Sequence, residues 1–106
     1  MATCVVIDTD HQIQTIQVDD SDMSPFTQQA LNPEEGQKVT ILGSWDNCAI
    51  NMLGLSPNKN NPVPENMLPQ TNRESAPLSP PIMFCRLDEN YRVVDFDLDD
   101  YRNLVE

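Results

Sequence analysis

Apolar residues in this chain come in short bursts separated by polar turns, which predicts strands more often than helices. Thr3–Ile7 contains the run Cys-Val-Val-Ile, as expected of a strand buried on both faces. Asp8-Thr9-Asp10-His11 supplies turn formers, because Asp side chains bond nearby backbone N–H groups. Gln12–Val18 then predicts a second strand, with Ile16 and Val18 on one face and Ile13 on the other. Ser24 as N-cap and Pro25 at the first helical position predict a short helix that Asn32-Pro33 ends. Its Phe26, Ala30 and Leu31 would face the core. Gln37–Leu42 and Cys48–Leu53 predict a central hairpin joined by Gly43–Asn47, with the sole tryptophan, Trp45, at its tip.

The last quarter carries the clearest signal. Ile82–Leu87 and Tyr91–Phe96 flank a polar turn and predict a third hairpin. Asp97 follows as N-cap of a C-terminal helix, with Asp99 and Asp100 in the first turn, where the helix dipole favours negative charge. Leu98, Tyr101, Leu104 and Val105 recur at helical spacing and would pack on the sheet. The fold class is therefore α+β: a small, mostly antiparallel sheet of three β-hairpins, with a short helix after the first and a C-terminal helix packed on it. The order of strands within that sheet is left open.

The two ends also echo each other. Ile7-Asp8-Thr9-Asp10-His11-Gln12-Ile13 aligns with Leu87-Asp88-Glu89-Asn90-Tyr91-Arg92-Val93, and Ile16, Val18 and Asp19-Asp20 then fall on Phe96, Leu98 and Asp99-Asp100. Either an internal duplication or the frequency of Asp-rich hairpin turns accounts for this.

Between the central and last hairpins, Leu55–Pro81 breaks the pattern. It holds seven of the nine prolines and shows neither helical nor strand period, so it predicts a functional loop or a mobile one, its proline-rich end reading most plainly as a stiff extended connector. Pro77-Leu78-Ser79-Pro80-Pro81 has the spacing that docks in aromatic grooves, and Met67-Leu68 would pin the loop to the core. At 106 residues the chain reads as a single domain, residues 1–106, interrupted by this 55–81 loop.

Charge narrows the functional classes. The net charge of -11 at pH 7 and the six scattered Lys and Arg residues leave no basic patch, which argues against direct nucleic-acid binding. A surface this acidic either serves solubility alone or favours encounter with a basic protein surface. Candidate partner-binding residues are Trp45, the acids Asp19, Asp20 and Asp22, and the acids Asp97, Asp99 and Asp100. The same carboxylates suit a hard cation, but none fits a calcium-loop pattern, so no metal or other cofactor is expected. Cys4, Cys48 and Cys85 lack disulfide or zinc spacing and read as small apolar residues of a reducing compartment. No leader-like or bilayer-length apolar run is evident, so an intracellular, cytoplasmic protein without membrane contact is expected. His11 is the only histidine, and no phosphate-loop or metalloprotease motif occurs, so catalysis is not expected.

Leu53-Gly54-Leu55-Ser56-Pro57-Asn58-Lys59, Pro81–Asn90 and Val93–Asp100 together resemble a small family of uncharacterised proteins of phages, plasmids and large DNA viruses. The resemblance covers most of the chain and implies a terminal hairpin, a short helix, a middle strand pair with a Gly-Leu-Pro-Pro-Asn-like turn, and a closing hairpin and helix. Ser56 stands where proline is usual. What it implies functionally is an accessory protein of a mobile or viral genome, with no activity to carry over. Three functional expectations follow, in order: a non-enzymatic, accessory or inhibitory interaction protein that binds a basic surface, a structural or assembly subunit, and last a small enzyme. The oligomeric state is left open.

Overall fold

The computed structural model describes residues 2–18, 31–58, 61–75 and 77–106. Six strands form one antiparallel sheet: β1 (Ala2–Ile7), β2 (Ile13–Val18), β3 (Lys38–Trp45), β4 (Ile50–Ser56), β5 (Ile82–Leu87) and β6 (Val93–Val94). The order is β2-β1-β5-β4-β3, with β6 paired to β5. One α-helix, α1 (Leu98–Val105), and one 3-10 turn, Glu65–Met67, complete the regular structure among the described residues. The mixed α+β architecture therefore stands. The helix expected over Ser24–Leu31 lies outside the described residues except for Leu31, which is buried.

β1 and β5 are central because their sequences are apolar on both faces. Cys4, Val5, Ile7 and the whole run Ile82–Cys85 are sealed from solvent. Alternation then sorts side chains into two clusters, one on each side of the sheet. Cys4, Val6, Val18, Leu53, Leu55, Met83 and Cys85 pack on the first side, joined by Leu31. Val5, Ile7, Met52, Ile82 and Phe84 pack on the second, beneath Val63, Leu68 and Leu78 of the long loop and Phe96 and Tyr101 of the C-terminal segment. Phe84 is the hub of the second cluster, with ring centroids 5.2 Å from Tyr101, 6.2 Å from Phe96 and 6.5 Å from Trp45. Such aromatic pairs add about 0.5–1.5 kcal/mol each beyond their burial.

Three boundaries differ from the sequence reading. Gly43, Ser44 and Trp45 belong to β3 and not to a connection, which shrinks to Asp46–Ala49. Asp46, Asn47 and Cys48 all take left-handed backbone (φ 54°, 54° and 68°), so a connection of four residues reverses the chain where five were expected. That turn also leaves Cys48 exposed, correcting the expectation that all three cysteines are apolar filler. The last strand pair is short, because the chain leaves β5 after Val94 to follow β1. Phe96 N donates to the Thr3 carbonyl (2.8 Å), and Thr3 N donates to Asp95 Oδ1 (2.9 Å). Finally, the described residues of the loop, 57–58, 61–75 and 77–81, hold no strand and only the one 3-10 turn, yet Val63, Leu68 and Leu78 are buried, as the Met67-Leu68 pin required.

The echo between the ends is structural as well. In both turns the aspartate carboxylate accepts from the backbone two and four residues on: Asp8 from Asp10 and Gln12 (2.9 Å each), Asp88 from Asn90 (2.8 Å) and Arg92 (3.0 Å). The same backbone bonds close each turn, and His11 and Tyr91 both sit at φ 61°. Equivalent positions nevertheless face opposite sides, since Cys4 lies in the first cluster and Phe84 in the second. Adjacent antiparallel strands with matched turns and reversed faces are related by a screw in the sheet plane, which sets β6 in line with β1 along the same edge of β5.

Candidate functional site

Three features of the surface bear on function: an open cleft, the acidic groups and a sheet edge that is unpaired among the described residues. The cleft, about 450 Å³, lies where the first turn, the segment 31–37 and the two ends of the long loop converge. Its wall includes Leu55 and Asn58 of the Gly-Leu-Ser-Pro-Asn turn. Polar side chains around it are mostly engaged in holding the loop. Asn58 Nδ2 donates to the Pro80 carbonyl (2.9 Å) and Gln37 Nε2 to the Pro57 carbonyl (2.9 Å). At the first turn, Asn61 Nδ2 donates to the Thr9 carbonyl (3.2 Å) and His11 Nε2 to the Asn61 carbonyl (2.8 Å). Because a carbonyl only accepts, His11 carries its proton on Nε2 there. The sole histidine is thus a fastener of the loop to the turn, and Asp8 is already bonded by its own turn.

The acids Asp97, Asp99 and Asp100 lie together at the start of α1. Asp97 and Asp100 form a reciprocal capping box: Asp100 N donates to Asp97 Oδ1 (3.0 Å) and Asp97 N to Asp100 Oδ2 (3.1 Å). Those backbone donors hold the Asp97 carboxyl below the usual carboxylate range. Asp100 also pairs with Arg86 (3.6 Å) and Asp99 with Arg102 (3.7 Å). Asp19, Asp20 and Asp22 lie outside the described residues. Trp45 is half-buried against Phe84, and its Nε1 donates to the Thr71 carbonyl (3.0 Å), so it pins the long loop and does not project from a tip. Among the described residues no hydrogen bond or ion pair joins Trp45 to the α1 acids. Among the described residues no group of three or more His, Cys, Asp or Glu is placed to hold a metal ion, and no helix is long and apolar enough to cross a membrane.

The two edges of the sheet are unlike. At β3 the chain folds back over itself: Glu74 N donates to the Leu42 carbonyl (2.8 Å) and Ser44 N to the Asn72 carbonyl (3.1 Å). Gly43 permits that approach, since a Cβ there would come within 2.9 Å of the Asn72 carbonyl oxygen. A bulge between Ile41 and Gly43 interrupts the ladder as well. Among the described residues β2 pairs only with β1, in unbroken register over its whole length, and Ile13, Gln14, Thr15 and Gln17 are exposed. Sequence reasoning missed this edge, although the signal was present: His11–Val18 carries no acid, Lys or Arg in a chain of net charge -11.

Fold and surface together define a small, acidic α+β domain in which one sheet edge is overlaid by the chain and the other, among the described residues, is unpaired. The chain belongs to DUF5880, a family of unknown function, whose model matches residues 5–104, from β1 into α1. Neither the curated proteins nor the solved structures include a match to it.

Proposed function

We propose that this chain is a non-enzymatic interaction domain that engages a basic protein surface. The observation that carries the reading is the disposition of charge. None of the described carboxylates is buried, whereas Arg73, Arg86 and Arg102 are each paired to an acid of the chain itself. With three of the five described cations paired internally in a chain of net charge -11, the outward field is negative, which steers cationic partners and repels nucleic acid. The sequence resemblance noted above supports an accessory role in a mobile or viral genome, and three free cysteines suit a reducing, intracellular setting. The assembly-subunit reading draws less support, because Val63, Leu68 and Leu78 of the long loop are buried against the chain's own sheet.

The test is capture of cellular partners at about 50 and about 300 mM salt, a range that shortens electrostatic reach from about 14 to about 6 Å. Exposed acids whose carboxylates bond to nothing among the described residues are then reversed, as in Glu74→Lys with Glu89→Lys. Basic proteins retained at low salt, released at high salt and lost on charge reversal support the reading. Capture indifferent to both salt and reversal removes it.

A further inference from the structure

We propose that the outer edge of β2 receives an extended peptide segment with an uncharged centre and lysines or arginines at both ends, added as a further strand of the sheet. The inference rests on the basic-partner reading and names how that partner is held.

Ladder geometry fixes which groups are on offer. Asp8 N bonds the Gln12 carbonyl, so Asp8 and Gln12 form a hydrogen-bonded pair. In an antiparallel ladder such pairs recur every second residue, which makes Val6/Gln14, Cys4/Ile16 and Ala2/Val18 hydrogen-bonded as well. The N–H and C=O groups of Ile13, Thr15 and Gln17 therefore point away from β1, and among the described residues nothing pairs with them.

This edge lacks the devices that normally keep strands apart. It has no proline, no charge and no bulge, whereas the opposite edge is bulged and overlaid by residues 72–74. Its side chains suit a β-branched partner. Ile13, 39% exposed, stands beside Ile7, and Thr15 beside Val5, while Gln14 and Ile16 line the other face.

Charge selects the occupant. Asp8 and Asp10 precede the neutral strand, and Asp19, Asp20 and Asp22 follow Val18 in sequence. A second copy pairing antiparallel through β2 would set the acids before one strand against those after the other, so like charges meet at both ends. A segment with cationic ends and an uncharged middle is complementary at each of those places. Backbone bonds would give it affinity, and the flanking charges its direction to this edge.

The probe is a peptide of sequence Lys-Lys-Val-Thr-Ile-Thr-Val-Lys-Lys, compared with a version flanked by Glu and with two versions N-methylated at alternate central residues. All four leave the protein unaltered, so loss of fold is not a confounder. The lysine peptide is expected to slow amide exchange at Ile13, Thr15 and Gln17 by about tenfold or more, and to leave the already bonded Gln14 and Ile16 little changed. The Glu-flanked peptide, and the N-methylated version that blocks the ladder-facing amides, are expected to bind at least about tenfold more weakly. Equal binding of the lysine peptide and both N-methylated versions overturns strand addition while leaving the basic-partner reading intact. Failure of the lysine peptide to protect those three amides at saturation overturns it too. So does a dimer in sedimentation whose β2 amides are protected without peptide, since a second copy then holds the edge.

Discussion

Asp8 and Asp88 each close a turn by accepting two backbone N–H groups, and the last residue of each turn is forced into left-handed backbone. His11 and Tyr91 bear that cost, about 1–2 kcal/mol for a residue with a Cβ. Tyr91 is 83% exposed and makes no recorded side-chain hydrogen bond, so Tyr91→Gly should stabilise the fold by about 1 kcal/mol. His11→Gly relieves the same strain but loses the bond to Asn61, and its net gain should be smaller or absent. Urea melts of the two variants check this, and a destabilised Tyr91→Gly would show that the turn is not strained. Both turns were legible in the sequence because their chemistry is local to five residues. The exposure of Cys48 was not, since it depends on three successive left-handed residues that no single residue type announces.

The C-terminal helix was equally legible, down to its capping aspartate, because caps and helical spacing are read within one or two turns of chain. What the sequence concealed was the helix's long-range partner. Tyr101 is buried, and its hydroxyl donates to the Met67 carbonyl, tying α1 to the 3-10 turn of the long loop. Tyr101→Phe keeps the edge-to-face contact with Phe84 but leaves that carbonyl without its partner, a loss of about 1–2 kcal/mol. The measurable outcome is a lower urea midpoint together with faster proteolysis around residues 65–67. Unchanged proteolysis would mean that Trp45 and the apolar anchors hold the loop without this bond. The loop itself read as connector because proline suppresses every period. Its order comes from scattered anchors, Val63, Leu68 and Leu78, spaced to suit the sheet beneath and not any helix or strand.

At the scale of the molecule, three buried acids set the alkaline limit of stability. Burial pushes the Cys4 and Cys85 thiols up to about 12 from an ordinary 9.0, and the Tyr101 phenol up to about 12 from 10.0. Above pH 9 the unfolded chain releases these protons while the folded chain keeps them. Stability is therefore complete below the unfolded values and falls as pH rises from 9 toward 12. Urea midpoints across that range should decline, with a shallower slope in Cys85→Ala, and a level profile would contradict the burial of the thiols. Acidity as a global property was plain from composition. Strand order was not, because hairpins report only which neighbours pair in sequence, and β1 beside β5 joins residues near opposite ends of the chain.

That placement has a kinetic corollary. The strand at the middle of the sheet, Ile82–Leu87, leaves the ribosome after β1 to β4 have been made, and Val5 meets Phe84 only across a separation of 79 residues (84 minus 5). Contacts so distant in sequence slow folding. Until β5 is delivered, β1 and β4 have exposed apolar flanks and no strand between them. A nascent chain arrested before Ile82 should be a substrate for chaperones and not a partly built version of the domain.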